Sequence, residues 1–590
     1  MKLKKVIALL LASVMTVTIL SACGSKDEGG STTTTPPANT TDTTAVGTVD
    51  DTKVEEIQSG YVPHVFSPDN PIEISMWIVT NSGAPTSDNK IIKRIENELG
   101  VTFDIEYTTT DNQDMRIGLL LAGGEYPELM ASTNNDAMMT AGGAYLRLDD
   151  YLATGNWPLL STHVDPYLRK LSYRGGDVED GFYQFPNYNR WYGGEIILED
   201  WSAPAFWIQK DVLVDAGYPD VTNGLSLDEY FELIENYAAK YPTIDGVPTI
   251  GFTLDFSEGR QWSVTNNALQ LQGYPNWGGA YPDFETNIAR HYITDNYSYR
   301  WAKKLNEINQ MGLLDPECFT ATTDQFQARL ATGAVLGFPH QRWAFGQGQD
   351  VLRSEERYER TYVPLMPTFD GIAPNYSSAQ LMNIHQGFGI SVDCQRPELM
   401  LDFLEIMMTE YWQKLLLWGV EGEDYLVDAD GIFYRTPEMR DQQDDAVWQA
   451  ANQPRALRDQ MPKRAGIWDD GNAYDPAFQR SEFLNNMVDY DKAFVKAYGY
   501  ETWGEFFNTP TEIVSYYPIW QLHSMLSTDA ALANTQLDEL QYPAYQRLIM
   551  AKPEEFDAEW ESFLNQVALI DTQLYLDEIN AIIQDILANQ

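Results

Sequence analysis

An α/β fold, increasingly helical toward its C-terminus, is what the sequence predicts, on three observations. Between Ile72 and Tyr107, two stretches of period-two alternation flank one of helical period, the pattern of a strand, a helix and a strand. From Ser226 onward the 3.6-residue period dominates, and the C-terminal region is almost wholly of that kind. Hydrophobic residues make up 44 % of the 590 positions and aromatics 13 %, which is enough for a sizeable core and too much for a disordered chain.

The chain opens with an address. Lys2, Lys4 and Lys5 make the first residues basic, residues 6–20 are apolar, and the run closes on Leu20-Ser21-Ala22-Cys23. That apolar run is shorter than the ~20 residues a membrane-spanning helix needs. The tetrapeptide resembles the lipobox of bacterial lipoproteins. The resemblance implies removal of residues 1–22 as a signal peptide, diacylglycerol and palmitate on Cys23, and attachment to the extracellular side of the cell membrane. An ordinary secretory signal with a Cys at its cleavage point is the alternative. Residues 23–60 then read as the lipidated Cys and a disordered tether, because Ser31-Thr-Thr-Thr-Thr35-Pro-Pro37 and Thr40-Thr-Asp-Thr-Thr44 offer no core. Its flexible reach is on the order of 30–35 Å.

Charge and cysteine content exclude several classes. With 39 Lys and Arg against 86 Asp and Glu, the net charge is −47, and such a surface repels nucleic-acid phosphates. Three cysteines make neither a disulfide scaffold nor a four-Cys zinc site. Beyond Cys23, Cys318 and Cys394 are either a pair or two buried thiols. No later run reaches 18 consecutive apolar residues, so no further segment is expected to span a membrane.

The globular part is expected over residues 61–590. Ile72, Ile74, Met76 and Ile78 form one face of a strand, with Glu73, Ser75 and Trp77 on the other. Asp88 is expected to cap a helix whose face is Ile91, Ile92, Ile95 and Leu99, closed by Gly100. Val101, Phe103, Ile105 and Tyr107 alternate again, which predicts a parallel pair joined by a crossover. Open α/β sheets bind ligands at the carboxyl ends of their strands, which makes Asn81 and Ser82 candidates; a plain polar turn is the alternative. A helix over 115–121 leads through Gly123-Gly124-Glu125-Tyr126-Pro127 into a short apolar run. Ser226 and Glu229 make a capping box before Tyr230, Phe231, Ile234 and Tyr237. Residues 298–311 form another helix, with Trp301, Leu305 and Ile308 inward. Pro397 opens one long helix that runs to Leu416 and is stopped by Gly419, and Val427–Ile432 reads as a hairpin. A terminal helix spans 572–587.

Several segments, in chain order, resemble bacterial extracellular solute-binding proteins of family 1, the long lipoprotein type that serves carbohydrate ABC importers. Gly123-Gly124-Glu125-Tyr126-Pro127-Glu128-Leu129 is similar to an early SGD-x-PD turn, Gly181-Phe-Tyr-Gln-Phe-Pro186 to G-x-Y-x-x-P, and Gln209-Lys210-Asp211-Val212-Leu213 to R-K-D-W-L. Trp418-Gly419-Val420-Glu421-Gly422-Glu423-Asp424-Tyr425 is similar to G-x-E-G-x-x-Y, and Phe556-Asp557-Ala558-Glu559-Trp560 to D-F-D-x-x-W. The resemblance implies a helix-rich, two-lobed type II periplasmic-binding-protein-like fold whose interleaved lobes hold ligand in the cleft between them. It implies a monomer that captures a carbohydrate, an oligosaccharide above all, and delivers it to ABC permease subunits without catalysis or cofactor. One departure concerns calcium. Where many long relatives carry a D-x-N-x-x-G-x-x-D-E loop, this chain reads Tyr241-Pro-Thr-Ile-Asp245-Gly246-Val247-Pro248, too few carboxylates for the 6–8 oxygens calcium takes, so no metal is expected.

Sugars offer apolar C–H faces to aromatic rings and hydroxyls to amides, carboxylates and Arg. Polar, glycine-flanked segments with aromatics are therefore the binding candidates: Trp191 and Tyr192, Trp262, Trp277 and Tyr281, Arg342 and Trp343, and Trp468. A loop Trp that merely lids a local core is the alternative for each. Arg342 is read as a partner for a carboxylate on an acidic sugar or as a structural ion pair, and Glu421 as a ligand contact or a hinge pin. Trp301, Trp412, Trp448, Trp503 and Trp560 sit in helical patterns and are assigned to packing. The six histidines show no HExxH or metal spacing, and the glycine pairs are not followed by Lys-Ser/Thr. The readings that compete with transport are a cell-attached glycan hydrolase or lyase, and a solute sensor or peptide binder on the same fold.

Overall fold

The computed structural model describes residues 61–133, 136–164, 181–187, 189–191, 204–221, 224–257, 259–283, 285–369, 371–376, 386–507 and 519–588. The signal peptide, Cys23, the tether and Tyr192 lie outside the described residues, which all belong to one compact unit.

In chain order the strands that matter here are β1 (Ile72–Val79), β2 (Val101–Thr108), β3 (Leu129–Ala131), β4 (Gln184–Pro186) and β5 (Asn189–Trp191). They are followed by β6 (Pro204–Gln209), β7 (Ile250–Phe252), β8 (Val335–Gln341), β9 (Tyr362–Leu365), β10 (Gly387–Ile390) and β11 (Lys463–Ala465). Two sheets result. The first has the order β2-β1-β3-β10-β4, parallel across β2, β1 and β3 and antiparallel on both sides of β10. The second has the order β9-β6-β8-β7, antiparallel except for the parallel pair of β8 and β7. The chain thus builds most of one sheet, moves to the other, and returns through β10 to complete the first.

The expected β-α-β unit is present, with β1 and β2 paired in register from Ile72 opposite Val101 to Val79 opposite Thr108. Trp77, expected on the polar face, is buried, because β1 is an interior strand covered on both sides. Its indole N–H donates to Thr108 Oγ1 at 2.9 Å. The helix Lys90–Leu99 buries Ile91, Ile95 and Leu99 as its spacing requires. Its cap is Asn89, not Asp88: the Asn89 carboxamide oxygen accepts from Ile91 N and Ile92 N, while its NH2 group reaches the carbonyls of Ala450 and Gln453. A carboxylate could accept at the helix end but could not donate to those carbonyls. Gly100 ends the helix at φ +68°, where a Cβ would overlap the Ser67 carbonyl.

The second sheet is covered by the helix Leu227–Lys240, entered through the expected Ser226/Glu229 capping box. Tyr230 packs so closely that its hydroxyl, donating to Trp207 O at 2.8 Å, would collide with a Cβ placed on Gly337 of β8. At the place of the family's calcium loop, Thr243–Ile244 and Val247–Pro248 pair as a small hairpin, and its one carboxylate, Asp245, is held by Arg357 at 2.8 Å. The helix expected from Pro397 to Leu416 is two helices, Pro397–Met407 and Glu410–Leu417. Thr409 between them is extended at ψ 153°, and the buried Gln413 amide donates to Met407 O at 2.8 Å, satisfying the first helix's end. The hairpin at 427–432 is present, with Leu426–Val427 paired to Phe433–Tyr434. Cys318 and Cys394 are separate buried thiols.

The late helices Thr528–Met550, Phe556–Val567 and Thr572–Ala588 follow the expected pattern. The first of these packs along Asn296–Gln310 in the second half of the molecule. Asn306, 1 % exposed, donates from one amide to the carbonyls of Leu548 (3.0 Å), Ile549 (3.1 Å) and Ala551 (2.7 Å) at the end of Thr528–Met550, where only Leu548 O also takes the capping Ala551 N–H, at 3.4 Å. Replacing Asn306 by Ala is expected to lower unfolding free energy by about 2–3 kcal/mol in a urea titration, with the slope unchanged. A loss below about 0.5 kcal/mol would show that these carbonyls do not depend on it.

Candidate ligand-binding site

A cavity of about 680 Å³ opens where the second sheet faces residues 417–487. One wall is built by the second sheet and its neighbouring segments: Trp207 on β6, Tyr362 and Pro364 on β9, Arg342 just past β8, and Gln349 and Arg353 on the helix Gly346–Ser354. The opposite wall comes from the helix Pro437–Asp444, the stretch from Gln449 to Lys463, and residues around Glu482. That second wall is tied to the carboxyl end of β1. Gln460 Nε2 donates to Val79 O at 2.8 Å, and the Ser82 hydroxyl to Asp459 Oδ2 at 3.1 Å. Ligands of open α/β sheets are bound at such strand ends.

The lining is basic in a strongly acidic chain. Seven cationic side chains meet four carboxylates there, against 39 and 86 in the whole sequence. Each of the four carboxylates is engaged. Glu482 holds Arg440 through both oxygens at 3.1 and 2.9 Å. Asp491 takes Lys210 at 2.5 Å, with Arg353 at 3.7 Å. Asp459 takes Arg458 at 2.8 Å, and Asp475 accepts from Ala477 N. The remaining cations form no ion pair among the described residues, although carboxylates stand near Arg435 and Lys463. Arg455 donates to Gln449 Oε1 at 2.7 Å, Lys463 to the Asp459 carbonyl at 3.4 Å, and Arg435 to the carbonyls of Asp424 and Trp418. The Arg342 guanidinium lies 5.6 Å from the Phe345 ring centroid. Burial lowers Lys463 to about 8 and pulls Arg435 down as well, since a desolvated cation favours its neutral form.

Beside Arg342 stands a cluster of aromatic rings. Trp343, 54 % exposed, lies 6.4 Å from the partly buried Trp262, and Arg260 lies 4.5 Å from the Trp343 centroid. Both indoles meet His340, at 6.0 and 6.3 Å. His340 Nδ1 accepts from Gln341 N, so its proton sits on Nε2, which donates to Asp255 at 3.2 Å. Burial pushes the His340 imidazole below its ordinary range and keeps it neutral. On Asp255, burial acts upward but is outweighed by the bonds from His340 and Ser257, so its carboxyl stays low.

Of the residues singled out in the sequence, the structure brings Arg342 to the cavity wall, with Trp262 and Trp343 grouped next to it. Asn81 is exposed and bonded to Thr110, with Nδ2 to Oγ1 at 2.8 Å, while its neighbour Ser82 touches the wall. Trp277 and Trp468 are core residues, 2 % and 4 % exposed. Trp468 lies 3.8 Å from the Tyr474 ring, which together with neighbouring Lys414 covers a loop that the sequence shows only as polar. Tyr281 packs on Tyr274 in a two-stranded ribbon away from the cavity lining. Trp191 belongs to β5, whose backbone runs parallel to β11. Glu421 is exposed in a tight loop whose Gly422 N reaches Tyr425 O at 2.7 Å. The buried members of that motif are structural: Asp424 accepts from Lys90 at 2.6 Å and Val420 N at 2.7 Å, and Tyr425 packs on Trp418 and Phe433.

Sequence pattern alone misses most of the wall. Trp503, whose helical setting assigns it to packing, lines the cavity with Lys210 4.6 Å from its ring. Arg455, Arg458 and Lys463 belong to no motif. Their signal is local charge: residues 454–464 hold four cations and one acid in a chain where acids outnumber bases twofold.

No protein-family model matches the chain, and no curated protein matches it. Solved structures do. An HMO-binding, ABC-transporter-associated solute-binding protein from Bifidobacterium longum infantis aligns over 88 % of this chain and 99 % of its own, with TM-score 0.62 and 15 % identity. The Streptococcus pneumoniae ABC-transporter substrate-binding protein FusA in complex with kestose aligns over 88 % and 100 %, with TM-score 0.59 and 15 % identity. An alginate-binding protein solved without calcium ion aligns over 89 % and 100 %, with TM-score 0.58 and 13 % identity. At such identities the likeness establishes architecture, and the chain therefore has the two-lobed α/β fold of the periplasmic solute-binding proteins.

Proposed function

We propose that this chain is the substrate-binding component of a carbohydrate ABC importer, capturing an oligosaccharide outside the cell and delivering it to permease subunits as a monomer. The observation that carries the reading is the make-up of the cavity. The partly buried Trp503 lines it beside the amides of Gln349, Gln449 and Gln453, with the more deeply buried Trp207 and Tyr362 also in the wall, which suits the apolar faces and hydroxyl rim of a sugar. Its volume of about 680 Å³ falls in the range of specific ligand sites. The names of the similar structures, which bind HMO, kestose and alginate, support the same class of ligand. Binding without turnover is supported by the four lining carboxylates, each of which already has a cationic or N–H partner. Capture would close the two halves about their connecting segments, a hinge motion and not a chemical step. The Leu20-Ser21-Ala22-Cys23 sequence supports lipid attachment at Cys23 on the outer face of the membrane.

A thermal-shift panel of linear and branched glycans, uronates and peptides tests the ligand class. Glycans are expected to raise the melting temperature without being cleaved. A shift with peptides alone, or glycan cleavage that disappears on removing an acid, would overturn the reading. Trp262→Ala and Trp343→Ala are each expected to weaken glycan binding about tenfold. Unchanged affinity in both variants would exclude the aromatic cluster from the site. Cys23→Ser is expected to move the protein from the membrane fraction to the medium, and retention in the membrane would refute the anchor.

A further inference from the structure

The cavity's charge points beyond a neutral sugar. Four of its cations, Arg342, Arg435, Arg455 and Lys463, have no carboxylate within ion-pair distance among the described residues. They come from both walls: Arg342 follows β8 of the second sheet, and the other three belong to the opposing segment. Two further donors aim at nothing among the described residues. Arg353 Nε and Gln443 Nε2 are both buried and unsatisfied, although both side chains line the cavity. A buried donor without an acceptor is costly, as are like charges gathered in a partly desolvated space. Burial pulls Lys463 down to about 8 against the opposing effect of Asp459, and an anion beside it would favour its charged form further.

These features ask for one thing: a ligand rich in acceptor oxygens that carries negative charge. Neutral hydroxyls supply acceptors but leave the cations unneutralised. Guanidinium groups, by contrast, bind carboxylate and sulfate through paired N–H donors. We propose that this cavity binds an anionic saccharide, a glycan bearing carboxylate or sulfate groups, which Arg342 grips from the second-sheet wall and Arg455 and Lys463 from the other. This rests on the carbohydrate-binding reading above and names the class of carbohydrate.

Calorimetric titration of the full-length protein in mild detergent separates the two claims. The probes are an oligouronate, a sulfated oligosaccharide of the same length, a neutral oligosaccharide of the same length, and an acidic peptide. At least one anionic glycan is expected to bind about thirtyfold or more tightly than the neutral one, weakening severalfold as salt rises from about 0.05 to 0.5 M. The carboxylated and sulfated arms tell which acid the cations fit. Arg342→Gln and Arg455→Gln are each expected to lose about tenfold for the anionic glycan, and to lose less for any neutral glycan that binds. Melting temperature without ligand serves as the folding control, and the two variants lie on different walls. Equal affinity for neutral and anionic glycans, unaffected by both variants, overturns the anionic proposal while leaving the carbohydrate reading intact. Binding of an acidic peptide with no glycan binding of either kind overturns both.

Discussion

The most demanding interaction in the molecule is the ion pair of Lys210 and Asp491. Their side chains are 0 % and 3 % exposed and meet at 2.5 Å, and the Lys210 ammonium also donates to Thr361 Oγ1 at 2.7 Å. Two charges withdrawn from water are tolerable only when each is satisfied by the other, and removing one partner of such a pair typically costs about 3–5 kcal/mol. Burial pulls Lys210 down to about 8, with Asp491 working in the opposite direction. The pair fastens the end of β6 to the start of β9 and to the helix Asp489–Ala497, some 280 residues away. It also sets Trp503, whose ring covers the ammonium and whose other surroundings include the cavity. The position of one cavity wall thus follows from a buried ion pair whose carboxylate, Asp491, itself lines the cavity.

That contact gives meaning to a motif which the sequence shows only as a likeness. Gln209-Lys210-Asp211 is a junction: the Gln209 amide donates to Gly333 O at 2.9 Å and Val335 O at 3.2 Å, Lys210 is buried, and Asp211 accepts from Tyr237 at 2.5 Å. Local features of this kind were legible. The first β-α-β unit, the Ser226 capping box and the late helices follow from periodicity because their determinants lie within a few residues of each other. What was not legible depends on distance along the chain. β10 has only four residues, too few for a period, and its partners β3 and β4 lie far upstream. The cavity's cations are scattered from Arg342 to Lys463 and converge only after folding. Loop tryptophans divided for the same reason: Trp343 is exposed, while Trp468, equally polar in its surroundings, is covered by Tyr474.

The acidic exterior and the basic interior serve different ranges. At physiological ionic strength a surface charge is screened beyond about 8 Å, so the net −47 hinders an approaching anion only weakly. Inside a partly desolvated cavity screening is poor, and a few unneutralised guanidinium groups outweigh many distant carboxylates. Net charge therefore speaks for solubility and against nucleic acid, and says little about which small ligand the interior accepts.

The return of the chain through β10 has a consequence for the order of assembly. Strand β3 exposes one edge until Gly387–Ile390 arrives to pair with it, and β4 has no partner in that sheet before then. A nascent N-terminal half therefore carries unpaired backbone donors and acceptors on an apolar sheet while about 250 further residues emerge. Such long-range pairing is slow to form. The same strand that interlocks the two halves of the finished protein makes the half-made chain dependent on protection from edge-to-edge association.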